Sequence, residues 1–176
     1  MDQLKETVKI IDWGIKQIPK ERLLEIPPHG THPQSTDYDK RYFGNWSAYR
    51  ILFHLVLYEE YHVIPSLMKF INAQEDISGI DLDEEVAWKN ELIKGVNVDG
   101  LLMRLNQARN NQIDIIKRID DNKWTADTGH TSCMHSSPEF ITSKTIQHTL
   151  EHGNKILRIA LFWDRLLHML DQREKT

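Results

Sequence analysis

Apolar residues recur at steps of three and four along four stretches of the chain, the pattern of helices that each bury one face. The first stretch carries Leu4, Val8, Ile11, Ile15 and Ile18. The other three cover residues 47–71, 99–120 and 143–171. Because no apolar–polar alternation is long enough for a strand, the sequence predicts an all-α fold. We expect a four-helix bundle with long connecting loops, in a single domain over residues 1–176.

Capping and breaking residues mark the predicted ends of these helices. Ser47 is a suitable N-cap for the second helix, and Trp46 before it could pack on Ile51 as a hydrophobic staple. Pro65 lies inside that helix and predicts a kink or an irregular turn. Ser136 and Glu139 could frame a capping box before the fourth helix. Its predicted inner face carries Ile146, Leu150, Ile156, Leu157, Ala160, Leu161, Trp163, Leu166, Leu167 and Leu170.

Three segments between the helices are predicted connections. Residues 26–46 contain Pro27, Pro28 and Pro33 and form a loop. Residues 76–98 are acidic, and the part around Trp88 could form a short helix. Residues 122–142 form a polar loop.

Charge and composition narrow the classes of partner. The 176-residue chain has a net charge of −4, so no basic surface for nucleic acid is expected. The N-terminal segment is unlike a secretory signal, and no apolar run reaches the roughly 20 residues that span a bilayer. We therefore expect a cytoplasmic protein that does not enter membranes. Four tryptophans spread over the chain favour a homodimer that buries some of them: Trp13, Trp88, Trp124 and Trp163.

Three histidines form the most informative pattern in the chain. His148 and His152 stand four residues apart, which offsets them by only about 40° on one helical face. His54 lies in an apolar helix, where a buried imidazole needs a partner. Three neutral imidazoles suffice for a divalent transition metal such as zinc, nickel or iron and leave coordination positions open. The plainer interpretation is that one histidine is a hydrogen-bonded core residue and another is solvated.

Two other metal patterns compete with this one. Residues 148–152 also match the inverted zinc-protease motif HxxEH, but Glu151 is expected on the side away from His152, and a third downstream ligand is missing. In the polar loop, His130, Cys133 and His135 could bind zinc. That spacing is not typical of a zinc finger and lacks a fourth ligand, so an incidental cysteine in a polar loop is favoured.

Two segments resemble the DinB-like superfamily of metal-dependent helical-bundle proteins. They are residues 46–55 (WSAYRILFHL) and residues 145–152 (TIQHTLEH), and length and helix count also agree. The resemblance implies a metal site made by His54, His148 and His152. It also implies a transferase or isomerase that uses a low-molecular-weight thiol. Relatives often continue with Gly-Gln after the second histidine, whereas this chain has Gly153-Asn154, and Lys155 brings a positive charge to the expected pocket.

A thiol-dependent mechanism assigns provisional roles to other residues. Such a site lowers the pKa of a small-molecule thiol so that it reacts at neutral pH. Arg50, Tyr58 and Tyr61 are expected on the His54 face, where they could orient the substrate, with Arg50 holding a carboxylate. A solvated Arg50 and two tyrosines at the edge of the core are the simpler alternative. The alternative for the whole protein is a non-catalytic metal-binding or interaction module with a structural metal.

Counting along the helices constrains where the centre can lie. At about 1.5 Å per residue, the three histidines fall roughly 8–14 Å from the N-terminal ends of their helices. The second and fourth helices should therefore run parallel or overlap only in part. The walls of the pocket would then come from residues 26–46 and 122–142, with His29, His32, His130 and Cys133.

Overall fold

Every regular element among the described residues is helical, as the sequence predicts. The structure is a computed structural model, and it describes residues 1–28, 32–71, 82–126 and 137–175. In these ranges the α-helices are α1 (Asp2–Lys16), α2 (Asp37–Phe43), α3 (Ala48–Tyr58), α4 (Ile64–Met68), α5 (Glu84–Lys94), α6 (Val98–Ile116) and α7 (Pro138–Glu174). Helices α2 and α5 lie in segments predicted as loops, although a short helix around Trp88 was expected.

Side-chain caps explain where the helices begin. The Ser47 hydroxyl accepts a hydrogen bond from the backbone N–H of Arg50 at 3.2 Å, which confirms the predicted N-cap of α3. Helix α7 begins at Pro138, before the predicted residue 143, because Ser137 caps it by accepting from the N–H of Phe140. The capping box predicted for Ser136 lies outside the described residues. Asp83 caps α5 by accepting from the first turn of that helix.

The irregularity predicted at Pro65 is a π-helical turn. Residues Glu59–Val63 join α3 to α4 without a break, and the N–H of Ile64 donates to the carbonyl oxygen of Glu59, five residues earlier. Proline has no N–H and crowds the preceding turn, so a regular α-helical bond pattern cannot continue through it.

Helix α7 runs antiparallel to the α3–α4 segment. Ile141 packs in one cluster with Val63 and Leu67, whereas the later His148 meets Tyr58. Farther along α7, Leu166 packs against Phe43, which precedes α3. Only part of the long α7 thus lies beside α3. Of the two predicted arrangements, the parallel one is wrong and the partial overlap is confirmed.

Close packing of α1 against α7 forms one side of the core. A Cβ atom added at Gly153 would lie 3.2 Å from Cδ1 of Ile11, and one at Gly14 would lie 3.0 Å from Cγ2 of Ile156. The two glycines therefore let the helices approach more closely than larger residues would. The central core combines residues of α1, α3, α6 and α7, such as Ile11, Leu52, Leu105 and Ile156.

The buried face of α7 differs from the predicted one. Leu150 and Leu161 are 41% and 57% exposed, so their predicted place on the inner face is wrong. Thr145 and Thr149 are buried instead. Each threonine hydroxyl donates to the backbone carbonyl four residues earlier, which satisfies it inside the core.

None of the described helices is long and apolar enough to cross a bilayer.

Candidate metal centre

The three predicted histidines converge at the contact between α3 and α7. One ligand atom from each of His54, His148 and His152 lies within 4.8 Å of the other two. Nε2 of His54 is 3.1 Å from Nε2 of His148, and the centroids of the His54 and His152 rings are 4.8 Å apart. The predicted convergence is therefore confirmed.

A carboxylate that the sequence did not reveal orients His54. Both oxygens of Glu84, in the first turn of α5, lie 3.0–3.1 Å from Nδ1 of His54. A proton on Nδ1 satisfies this contact and leaves Nε2 of His54 with a free lone pair directed at the other histidines. Metal-binding histidines almost always have such a carboxylate, carbonyl or water behind them. No local rule could place α5 beside α3, because 30 residues separate Glu84 from His54.

The electrostatic environment keeps the imidazoles of α7 neutral. The pKa of His148 is lowered to about 3, first by burial and then by the positive charge that His152, His54, Lys144 and Lys155 can carry. The pKa of His152 is likewise lowered to about 3, first by burial and then by His54 and Lys155. Neutral imidazole is the form that binds a metal ion, so the donor set is ready for one.

Two imidazole nitrogen atoms of the centre have no hydrogen-bond partner, and the spacing of the three rings is close to that of a metal site. The Nδ1 atoms of His148 and His152 are buried and accept or donate no hydrogen bond within the described ranges. At metal–nitrogen distances of 2.0–2.1 Å, tetrahedral ligand atoms lie about 3.3 Å apart. The three candidate ligand atoms lie within 4.8 Å of one another, so they are close to that spacing and in places wider than it.

Two aromatic rings enclose the histidines. The indole of Trp46 stacks on His152 with 6.0 Å between centroids and meets the edge of His54 at 5.0 Å. The ring of Tyr58 lies 4.0 Å from that of His148. Trp46, predicted only as a hydrophobic staple, is thus a wall of the site, and Tyr58 lies beside it as expected.

Arg50 is placed differently from the sequence expectation. Its side chain is 6% exposed and pairs with Glu85 at 2.6 Å and with Glu84 at 3.2 Å. Its guanidinium carbon lies 5.3 Å from the ring centroid of Trp46 and 4.8 Å from that of Trp88. Since two carboxylates already neutralise Arg50, it holds Glu84 in place. Binding of a substrate carboxylate stays a prediction that these glutamates disfavour.

Tyr61 and Lys155 also take distinct positions. Tyr61 lies in the π-helical turn and packs against the central core. The next residue, His62, is the one whose ring lies near Tyr58, with 5.8 Å between the ring centroids. The turn changes the angular spacing that placed Tyr61 on the His54 face. Lys155 lines a cleft with His152, which agrees with its predicted closeness to the centre.

The remaining predicted residues add no ligand to the three histidines within the described ranges. His130, Cys133, His135 and His29 lie outside the described residues. His32 lies near the end of α7, with Nε2 3.7 Å from Oδ1 of Asp171. Glu151 is exposed and accepts a hydrogen bond from Gln147, so it does not occupy the position of a protease base.

Two cavities open on either side of Trp46. We call the first the basic cleft. It has a volume of about 330 Å³ and is lined by Lys40, Arg41, Gly44, Asn45, Trp46, Ile51, His152 and Lys155. We call the second the Arg50 cavity. It has a volume of about 400 Å³ and is lined by Leu24, Ile26, Asn45, Trp46, Ser47, Arg50, Glu85, Trp88 and Leu92.

A charged pair is buried next to the centre along the same helices. Arg109 of α6 approaches an oxygen of Glu59 to 2.9 Å, and the two side chains are 2% and 0% exposed. Arg109 also donates to the hydroxyl of Thr149 and to the side chain of Gln112. Burial raises the pKa of Glu59 to about 7 although Arg109 opposes the shift.

No protein-family model matches this chain, and no curated protein was found to be similar to it. The resemblance to the DinB-like superfamily accordingly stays a prediction based on residues 46–55 and 145–152.

Proposed function

We propose that this chain is a DinB-like protein that binds a divalent transition metal, zinc, nickel or iron, and activates a low-molecular-weight thiol. The reaction class is transfer or isomerisation of a small-molecule substrate. The observation that carries the proposal is the convergence of three imidazoles, with Glu84 behind His54 and the basic cleft beside His152. In this proposal α1, α3–α4, α6 and α7 are the four members of a helical bundle, and α2 and α5 are additions that build the site.

The residues around the centre have different roles in this proposal. When bound, the metal supplies the positive charge that lowers the pKa of a thiol and makes it nucleophilic at neutral pH. Glu84 fixes the tautomer of His54 and keeps its Nε2 unprotonated. Trp46 and Tyr58 cover the imidazoles and limit access of water. The substrate then approaches from the basic cleft, which His152 lines.

The openness of the centre favours this function over a structural metal. A structural zinc site is usually closed by four protein ligands, whereas a catalytic site has three and an open position. In the described part of the chain the group comprises three residues. The non-catalytic alternative requires a further ligand.

Metal binding by protein purified without a histidine tag tests the first half of the proposal. We expect one zinc ion per chain in calorimetry, and we expect His148→Ala to abolish binding while the helical circular-dichroism signal is kept. His168→Ala is the matched control, because His168 lies on the same helix but is exposed. A wild-type protein that binds no zinc, nickel or iron would remove the proposal. Global unfolding of His148→Ala would favour a structural metal.

The second half is tested with cobalt-loaded protein. Addition of a small thiol should produce the absorption of a thiolate bound to cobalt, and His148→Ala should show none. Retained metal binding without any thiolate signal would leave the non-catalytic module as the better function.

A further inference from the structure

The basic cleft collects positive charge that its own walls do not neutralise. Lys40, Arg41 and Lys155 line it, and none of its lining residues in the described ranges is acidic. The Lys40 ammonium is 3.9 Å from an exposed Asp37, a weak contact. Neither Arg41 nor Lys155 forms an ion pair within the described part of the chain. Glu151, one turn before Lys155 on α7, accepts from Gln147 instead.

Backbone geometry holds this charge next to the histidines. Gly44 ends α2 with a φ of +77°, a conformation that favours glycine, and a Cβ there would lie 3.3 Å from Cδ of Lys155. The bare backbone of Gly44 therefore lets the lysine stem pack against it. The turn also places the end of α2, with Lys40 and Arg41, opposite α7. Lys155 follows His152 by less than one helical turn, so its charge and the histidine share one cleft.

The Arg50 cavity on the other side of Trp46 shows the opposite balance. Its arginine is paired with Glu84 and Glu85, so that side carries two negative charges for one positive charge. An anion arriving at the centre is therefore attracted through the basic cleft and repelled on the side of Arg50. In the basic cleft, Trp46 and Ile51 add an apolar wall for the carbon part of a ligand.

We propose that the basic cleft binds the carboxylate of a small organic acid and thereby presents the other end of that molecule to the histidine centre. Lys155 and Arg41 are the residues that recognise the carboxylate. The inference rests on the proposed function, in which the acid is the thiol itself or the substrate. It narrows the ligand class to anionic compounds small enough for a cavity of about 330 Å³.

A pair of thiols of the same size tests the proposal. Zinc-loaded protein is titrated by calorimetry with 3-mercaptopropionate and with its neutral amide, 3-mercaptopropanamide. We expect the acid to bind about tenfold more tightly, the effect of one charge-assisted hydrogen bond. Lys155→Gln and Arg41→Gln should each remove most of this preference, which is read as the ratio of the two affinities measured on the same variant.

Lys144→Gln is the matched control. Lys144 lies on α7 and acts on His148 through its charge, but it does not line the cleft. If direct contact with Lys155 and Arg41 selects the carboxylate, the Lys144→Gln variant should keep the preference for the acid. If the overall electrostatic field of the protein selects it, this variant should lose part of the preference. Circular dichroism checks that each variant is folded.

The outcomes separate the cleft from the thiol chemistry. Equal affinity of the wild type for both thiols would overturn the cleft proposal and leave the proposed function intact. A preference that survives in the Lys155→Gln, Arg41→Gln double variant would overturn it as well. If neither thiol binds, the proposed function fails, and succinate against its neutral diamide then decides the cleft. Tighter binding of succinate supports it, and equal binding or none overturns it.

Discussion

Two polar clusters lie inside the same helical assembly, and they differ in charge and in access. The histidine centre consists of three imidazole side chains, two of them half-buried, and it borders the basic cleft. The pair of Glu59 and Arg109 carries opposite charges and is closed off, with exposures of 0% and 2%. Both use α3 or its π-helical continuation on one side, and α7 contributes His148 to the first and Thr149 to the second.

The difference separates a site from a structural element. Burying a charged pair in the core costs desolvation energy, which the attraction between the partners barely offsets. Loss of either member therefore destabilises the protein strongly. Neutral imidazoles cost less to bury, and each keeps a nitrogen lone pair that can bind an ion. We therefore expect changes in the charged pair to affect stability and changes in the histidines to affect ligand binding.

The largest expected effect on stability comes from Arg109→Met. It leaves the carboxylate of Glu59 buried without a counter-charge and should lower the free energy of unfolding by about 3–5 kcal/mol. Urea denaturation measures the change. The double variant Glu59→Gln, Arg109→Met should recover a large part of the loss. An Arg109→Met protein with wild-type stability but no zinc binding would contradict the comparison, because the charged pair would then support the site and not the fold.

The pH dependence of stability tests Glu59 by itself. Its pKa is raised from 4.5 to about 7 in the folded protein, so the folded state holds the proton more tightly than the unfolded chain does. The resulting stabilisation is complete below pH 4.5 and is lost as the pH rises through about 7. Relative to Glu59→Gln, the wild type should lose about 3 kcal/mol over this range. Urea denaturation of both proteins at pH 5 and pH 8 measures it, and parallel pH profiles would show that Glu59 stays ionised.

The smallest of these effects concerns the carboxylate behind His54. Glu84→Gln keeps the shape of the side chain but removes the charge that fixes the tautomer of His54, so zinc affinity should fall about 10–100-fold. Glu85→Gln is the control, because Glu85 contacts Arg50 and is largely exposed. Competition with a chromophoric chelator measures both variants. Equal losses of zinc affinity in the two variants would mean that Glu84 acts only through the overall electrostatic field and not through its contact with His54.

Sequence periodicity predicts the ligands of this centre but not their support. The spacing of His148 and His152 and the apolar surroundings of His54 depend on local helix geometry, so both features can be deduced without tertiary information. Glu84 and Arg109 act across distant segments of the chain, and no local pattern encodes such contacts.

The errors of detail have identifiable causes. Leu150 and Leu161 look like core residues by type, but the side of α7 that faces its neighbours is set by the close approach of α1 at Gly153. The expectation for Tyr61 assumed regular helical spacing, which the π-helical turn interrupts. Helix α7 begins earlier than expected because its start is marked by a serine cap and a proline in the first turn, which the apolar pattern does not register.

The contact between Gly153 and Ile11 has a consequence for the metal centre. Gly153 follows His152 directly, and the side chain of Ile11 occupies the space that a Cβ would need. Helix α7 therefore cannot turn about its own axis without colliding with α1. The first helix contributes no ligand, yet it acts as a stop that sets the direction in which His152 points. Coordination geometry on one side of α7 is in this way anchored by van der Waals contact on another.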